Sequence, residues 1–387
     1  MKKQLGFILL FTYLLMSCST KIISKNFIPI RYEGYLNLDV LVADKYKGNF
    51  IFDTGCNGIV LDSLFCKESG YKDITTDLKI GGIGNSKKIL KVITDSIHYK
   101  YINTDYYLDS NIAIMLDLKS MVGRQVDGIF GLETFSDTPY MIDYVSQKIT
   151  FTNSIKGYEV VNSHFEAGRI YIDLSLTLNN GNSIYGKFLV DTGSDQTIFN
   201  NHVFMTEGIY NSLNKKKFYS KGGIGGDSNG YFLPVSSINI GKFKIENFIT
   251  TISTDTLGML ANSNYMGIIG NDLLDDFNII FDHRKEKIWV TPNKNFNKNI
   301  KKLFRGISFF DTGEKWYVAR VVEDSEAYRK GIRMNDEILQ INNVPVENID
   351  IDMFSNKLKA NDVLRLKIKR GEEEKDIEFR LNVFLKS

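Results

Sequence analysis

A tripeptide that occurs twice constrains this chain more than any other feature. Ile51-Phe52-Asp53-Thr54-Gly55-Cys56 is the first copy and Leu189-Val190-Asp191-Thr192-Gly193-Ser194 the second. In each, two apolar residues read as the end of a buried strand, and Asp-Thr-Gly as the tight turn leaving it. Glycine tolerates the backbone angles of such a turn, and the threonine hydroxyl can fix it through nearby backbone groups. The surroundings repeat as well. Lys79-Ile80-Gly81-Gly82-Ile83-Gly84 follows Asp53, and Ser220-Lys221-Gly222-Gly223-Ile224-Gly225-Gly226 follows Asp191. Next come Asp127-Gly128-Ile129-Phe130-Gly131-Leu132 and Met266-Gly267-Ile268-Ile269-Gly270-Asn271. Each half closes on an apolar residue and an aspartate, Ile142-Asp143 and Phe281-Asp282, which lie 90 and 91 residues beyond the turn aspartates. Four landmarks in one order at one spacing imply an internal duplication, with a period too long for a solenoid.

The layout resembles the aspartic proteases, and the Gly-Gly-Ile-Gly-Gly form resembles their retroviral (retropepsin) branch. That branch assembles its site from two chains. Here both halves lie in one chain, as in the pepsin-like branch. The resemblance covers roughly residues 30–290. It implies a mainly β, two-lobed acid-protease barrel fold, with lobes at 30–151 and 152–290 joined through 152–168. It also implies Asp53 and Asp191 as a catalytic dyad holding a water between them, one carboxyl ionised and one protonated; the aspartic proteases are the standard example of such a pair. Thr54 and Thr192 should brace the turns, and Gly55 and Gly193 let them approach. Gly81, Gly82, Ile83 and Gly84, with Gly222, Gly223, Ile224, Gly225 and Gly226, are candidate flaps over an extended substrate. Asp143 and Asp282 read as structural strand ends.

Composition supports a β-rich reading. Tyrosine (20) and phenylalanine (26) are plentiful, proline (5) is scarce, and apolar runs are short and alternating. With 48 basic and 46 acidic side chains the net charge is +2, which excludes a dedicated nucleic-acid binder. Four histidines without His-x-x-x-His or Cys-x-x-Cys spacing give no metal signal, and no cofactor is implied. Cys56 and Cys66 read as free thiols in preference to a disulfide.

The amino terminus is a short basic start followed by an apolar run from Leu5 to Ser17, too short to span a bilayer. It reads as a signal peptide over 1–17. Leu15-Met16-Ser17-Cys18 resembles the lipobox of bacterial lipoproteins, which implies lipidation of Cys18, a tether over 18–29 and a place in the bacterial cell envelope, with Ser19 compatible with outer-membrane sorting.

Beyond a polar linker at 291–302 the pattern changes. A strand at 316–322, a short helix over 325–332, a strand and turn at 335–344, a helix at 351–358 and a closing hairpin over 363–381 follow in order. This order resembles a PDZ domain over 303–387, with Gly306-Ile307-Ser308-Phe309 at the place of the carboxylate-binding loop. The serine departs from the family's second glycine in that loop. A C-terminal peptide that adds as a strand is the implied ligand. Two readings follow. One is a monomeric, membrane-anchored aspartic endopeptidase acting on peptide or protein substrates. The other is a catalytically inactive peptide-binding lipoprotein, which the intact turns disfavour.

Overall fold

The computed structural model describes residues 26–123, 125–205, 215–221, 223–298, 306–359 and 361–381. The lipidation candidate Cys18 and the signal peptide lie outside the described residues, as does Gly222. Among the described residues the chain is mainly β, arranged in three sheets.

Period-two burial builds the strands. Leu36, Leu38, Val40 and Val42 face the core from the strand Leu36–Val42, and Ile170, Ile172, Leu174, Leu176 and Leu178 do so from Arg169–Leu178. Each strand turns back through a hairpin to the one that delivers an aspartate: Tyr46–Asp53 in the first half, Ser183–Val190 in the second. The second hairpin turns through Asn180-Gly181, with Gly181 at φ 85°. The first turns on Ala43 and Asp44, at φ 50° and 54°. Aspartate tolerates that conformation, but no glycine or asparagine marks the turn.

The third landmark has a structural purpose in both halves. Gly128–Gly131 pairs in parallel with Tyr46–Asp53, setting Gly131 opposite Asp53, and antiparallel with Ile59–Asp62. Gly267–Ile269 pairs in parallel with Ser183–Val190 and antiparallel with Ile198–Phe199. In each half a later strand is thus inserted beside the turn and holds its position. The halves are stitched by a six-stranded sheet in which Tyr140–Asp143 lies antiparallel to Phe277–Asp282. The closing aspartates end those two strands. Asp143 accepts the N–H groups of Val145 and Ser146, and Asp282 accepts that of Lys285, so both serve local turns.

Three segments are more ordered than their composition suggested. Phe27–Pro29, read as the end of a tether, forms the edge strand of the six-stranded sheet against Lys148–Phe151. The connection at 152–168 contains the strands Glu159–Val161 and Ser163–Glu166, which pair with Lys287–Pro292 and Arg169–Leu178. The start of the linker is packed: Phe296 contacts the main core, and the Asn293 and Asn297 backbone or side chains bond Asp275 and Asp276. Ser163–Glu166 is a tight hairpin with the next strand, turning on Ala167 and Gly168, whereas the other segments borrow their partners from distant parts of the chain, which alternation cannot reveal.

The C-terminal unit has its own core, centred on Val318, Ile332, Ile338, Leu366 and Ile368. Its strand Ile307–Asp311 pairs with Trp316–Val322 alone among the described residues. Trp316–Val322 also pairs on its other side, antiparallel to Lys216–Ser220 of the second half, with Tyr219 opposite Val321. Backbone bonds from Lys221 N–H to Ala319 (2.6 Å) and Glu323 N–H to Lys217 (3.0 Å) extend this seam. One continuous sheet therefore runs from the second half into the C-terminal unit. Among the described residues no helix is long and apolar enough to cross a membrane.

Candidate active site

The structure brings the two Asp-Thr-Gly turns together. Thr54 and Thr192 are fully buried and grip one another: each backbone N–H donates to the other's Oγ1, both at 3.0 Å. Each hydroxyl then donates across to the opposite strand, Thr54 to the Val190 carbonyl (2.8 Å) and Thr192 to that of Phe52 (2.7 Å). A hydroxyl serving as donor and acceptor at once is needed for this reciprocal lattice, and it explains why threonine stands at both positions. Asn271 anchors the second turn further, donating its Nδ2 to the carbonyls of Thr192 and Gly34, both at 2.8 Å.

The grip sets Asp53 and Asp191 side by side, with their carboxyl groups hydrogen-bonded to each other. Asp53 Oδ1 accepts the Gly55 N–H at 2.8 Å and Asp191 Oδ1 that of Gly193 at 2.9 Å. A Cβ at Gly55 would stand 2.5 Å from the Asp191 carboxyl carbon, and one at Gly193 would collide with that of Asp53. Only glycine lets the turns pass this closely.

Burial raises both carboxyls above the ordinary aspartate range. For Asp191 the charge of Asp53 adds to burial and raises it well above; for Asp53 the hydrogen bonds of the site oppose the rise. Two like charges cannot both persist in contact away from water, so the pair retains one proton. The near two-fold arrangement gives that proton to the pair rather than to either residue.

The glycine hairpins meet tip to tip. The first joins Ile74–Gly81 to Lys87–Ile93 and the second joins Lys216–Ser220 to Ser228–Ile240. Gly225 N–H donates to the Ile83 carbonyl at 2.8 Å, and Ser86 donates its N–H and its hydroxyl to Gly225, each at 2.8 Å. Each isoleucine crosses over. Ile83 packs against Tyr171, Leu260 and Tyr265 of the second half, while Ile224 packs against Ile51, Val60 and Leu116 of the first.

Asp255 fastens this junction and carried no sequence signal. Its carboxylate accepts the Gly84 N–H (3.1 Å), the Asn85 Nδ2 (3.1 Å) and the Ser228 hydroxyl (2.9 Å). Asn85 Oδ1 in turn accepts the N–H groups of Thr256 and Leu257. Asp255 lies in a polar loop with no landmark around it, so only the fold reveals its role.

A cavity of about 570 Å³ opens beside the turns. Gly193 and Ser194 line it, with Ile83 and Gly223 of the hairpins, Tyr35 and Ile51 of the first half, and Ser308, Phe309 and Arg320 of the C-terminal unit. Cys56 and Cys66 are free thiols. Burial, reinforced by the nearby aspartates, pushes the Cys56 thiol well up, which leaves it protonated and a poor nucleophile. Among the described residues no group of three or more His, Cys, Asp or Glu could hold a metal ion.

In the C-terminal unit Gly306 takes φ 76° and leads into Ile307–Asp311, whose Phe309 ring meets Phe354 of the helix Ile351–Lys357. A strand with an open edge beside a helix is a peptide-binding arrangement. Residues 317–370 match the family model of the PDZ domain. The match supplies a peptide or partner recognition module, and Gly306, Ile307, Ser308 and Phe309 precede the matched residues, at the head of the strand paired with Trp316–Val322. No curated protein matches the chain.

Proposed function

We propose that the chain is a single-chain aspartic endopeptidase of the retropepsin-like kind, in which Asp53 and Asp191 activate a water against a peptide bond. One observation carries the reading: two aspartates from matching halves, hydrogen-bonded over a threonine grip, beside a cavity that two glycine hairpins border. The ionised carboxyl takes a proton from the attacking water while the protonated one supplies a proton to the carbonyl oxygen, and the pair then exchange roles. The PDZ domain presents peptides or partners, and lipidated Cys18 holds the enzyme to a membrane of the bacterial envelope.

The test is to incubate residues 19–387 with a mixed peptide library from acid to neutral pH. Cleavage blocked by pepstatin-type inhibitors and lost in Asp53→Asn and Asp191→Asn supports the proposal. Binding without cleavage at every pH supports a peptide-binding lipoprotein instead. The anchor has a separate test: metabolic labelling with palmitate should mark the full chain and not Cys18→Ala.

A further inference from the structure

The cavity beside the turns has a third wall, built by the PDZ domain. Ser308, Phe309, Phe310 and Asp311 line it from the open strand, and Arg320 from the strand that crosses into the second half. Arg320 sits opposite Ser220 in that seam and donates its Nε to the Ser220 hydroxyl at 3.2 Å. Its guanidinium carbon lies 5.3 Å and 5.8 Å from the ring centres of Phe218 and Phe232. These contacts hold the guanidinium in one place. They occupy one of its five N–H donors. Among the described residues its terminal nitrogens make no hydrogen bond and no ion pair.

A half-buried cation without a carboxylate partner is a costly arrangement. Burial lowers the Arg320 pKa, while Asp195 and Tyr35 oppose that shift from a distance. Asp195 is exposed on the turn that follows Gly193 and lies outside ion-pairing range. Lys221, from the second half, adds a second cation beside that wall, its ammonium 4.6 Å from the Phe310 ring centre. Glu33, Asp195 and Asp311 also line the cavity, so its charge is mixed. Arg320, however, has hydrogen-bonding capacity that no described carboxylate uses, and a planar guanidinium matches a carboxylate two bonds at a time.

We propose that Arg320 is a specificity-determining residue of the substrate cleft, where its guanidinium receives a carboxylate of the bound peptide close to the scissile bond. The choice of cleft as its location rests on the endopeptidase reading. The PDZ domain is then one wall of the substrate site as well as a recognition module. The carboxylate is either an acidic side chain or the free C-terminus of the peptide, since both present the same group.

Peptides differing only by glutamate against glutamine at each position, each as free acid and as amide, test this on the chain from residue 19. The native chain is expected to prefer glutamate over glutamine at one position, or the free acid over the amide, by about tenfold in kcat/KM, within the range of a charged hydrogen-bonded contact. Arg320→Gln should bring that ratio to about one and Arg320→Lys to an intermediate value. A ratio cancels any general loss of activity in the variants. A glutamate preference that survives amidation locates the carboxylate on a side chain; a preference for the free acid over the amide, with glutamate and glutamine used alike, locates it at the C-terminus. Equal use by the native chain both of glutamate and glutamine and of free acid and amide, or an unchanged ratio in Arg320→Gln, overturns the proposal. If no peptide is cleaved, the same pairs are compared by fluorescence anisotropy on Asp191→Asn. An Arg320-dependent acidic preference in binding then upholds Arg320 and removes only the endopeptidase reading.

Discussion

At the residue scale, the dyad sets function against stability. The folded Asp191 carboxyl stands well above its ordinary value of 3.8, so the native chain keeps a proton that the unfolded chain releases. Stability from that proton is present below the unfolded value and is lost as pH rises through the folded one. Asp191→Asn has no charge to bury there. Its melting temperature should therefore exceed that of the native chain by an amount that grows as pH is raised from about 4 to 7, reaching roughly a few degrees. Calorimetry across that range checks this, and a constant gap would contradict it. His283 has the opposite sign. Burial lowers its pKa to about 4, and its ring packs against Tyr140 and Phe165 with Nε2 unpaired. Its neutral form favours the fold above the ordinary histidine value, and that contribution is lost as pH falls through about 4. The linkage amounts to about 3 kcal/mol. His283→Phe should flatten the fall in stability between pH 6.5 and 4, measured by denaturant midpoints.

At the scale of elements, the hairpin junction depends on Asp255. Asp255→Ala removes the acceptor for Gly84, Asn85 and Ser228, leaving a buried N–H without its partner at a cost of about 1–3 kcal/mol. Amides of residues 82–86 should exchange about tenfold faster or more, while those of the strand Tyr46–Asp53 keep their protection. In the proposed enzyme KM should rise more than kcat falls. What could be read from the sequence divides along the same line. Asp-Thr-Gly, Gly-Gly-Ile-Gly and the inserted apolar-glycine strands each carry a local rule: a turn, a close approach, a period. Those elements lie where the pattern places them. The PDZ strands and helices also follow their order, from the Ser325-capped helix Glu326–Arg329 to the hairpin Val363–Arg380. Asp255 and Arg320 act through partners tens to hundreds of residues away, and no local rule marks them; Asn271 ends a landmark, but its bonds to Gly34 and Thr192 are just as distant. The strand at Phe27–Pro29 carries no local mark for the same reason, since its sheet partner among the described residues begins at Lys148.

At the scale of the whole molecule, two sheets decide what moves with what. The six-stranded sheet fixes one half to the other through Tyr140–Asp143 and Phe277–Asp282, while the seam at Lys216–Ser220 fixes the PDZ domain to the base of the second hairpin. The strand Lys216–Ser220 is short, and its inner side rests on Ser228–Ile240. Its outer side is covered by the PDZ strand, with Tyr219 stacked on Tyr328 and Phe218 grouped with Val322 and Phe232. Removing the PDZ domain therefore exposes a sheet edge and aromatic surface right beside Gly223–Gly226. A chain ending at residue 302 should keep the main core, which contains no PDZ residue, and so retain protection of Tyr46–Asp53 and Ser183–Val190. It should lose protection over 216–226, and with it at least about tenfold of any dyad-dependent cleavage, though Asp53 and Asp191 are untouched. Adding the isolated PDZ domain in trans should restore little, because the seam then has to form between separate molecules without the effective concentration that the connecting chain provides. Unchanged exchange over 216–226 in the shortened chain would mean that the hairpin is held from within the second half, and that the PDZ domain sits on it without organising it.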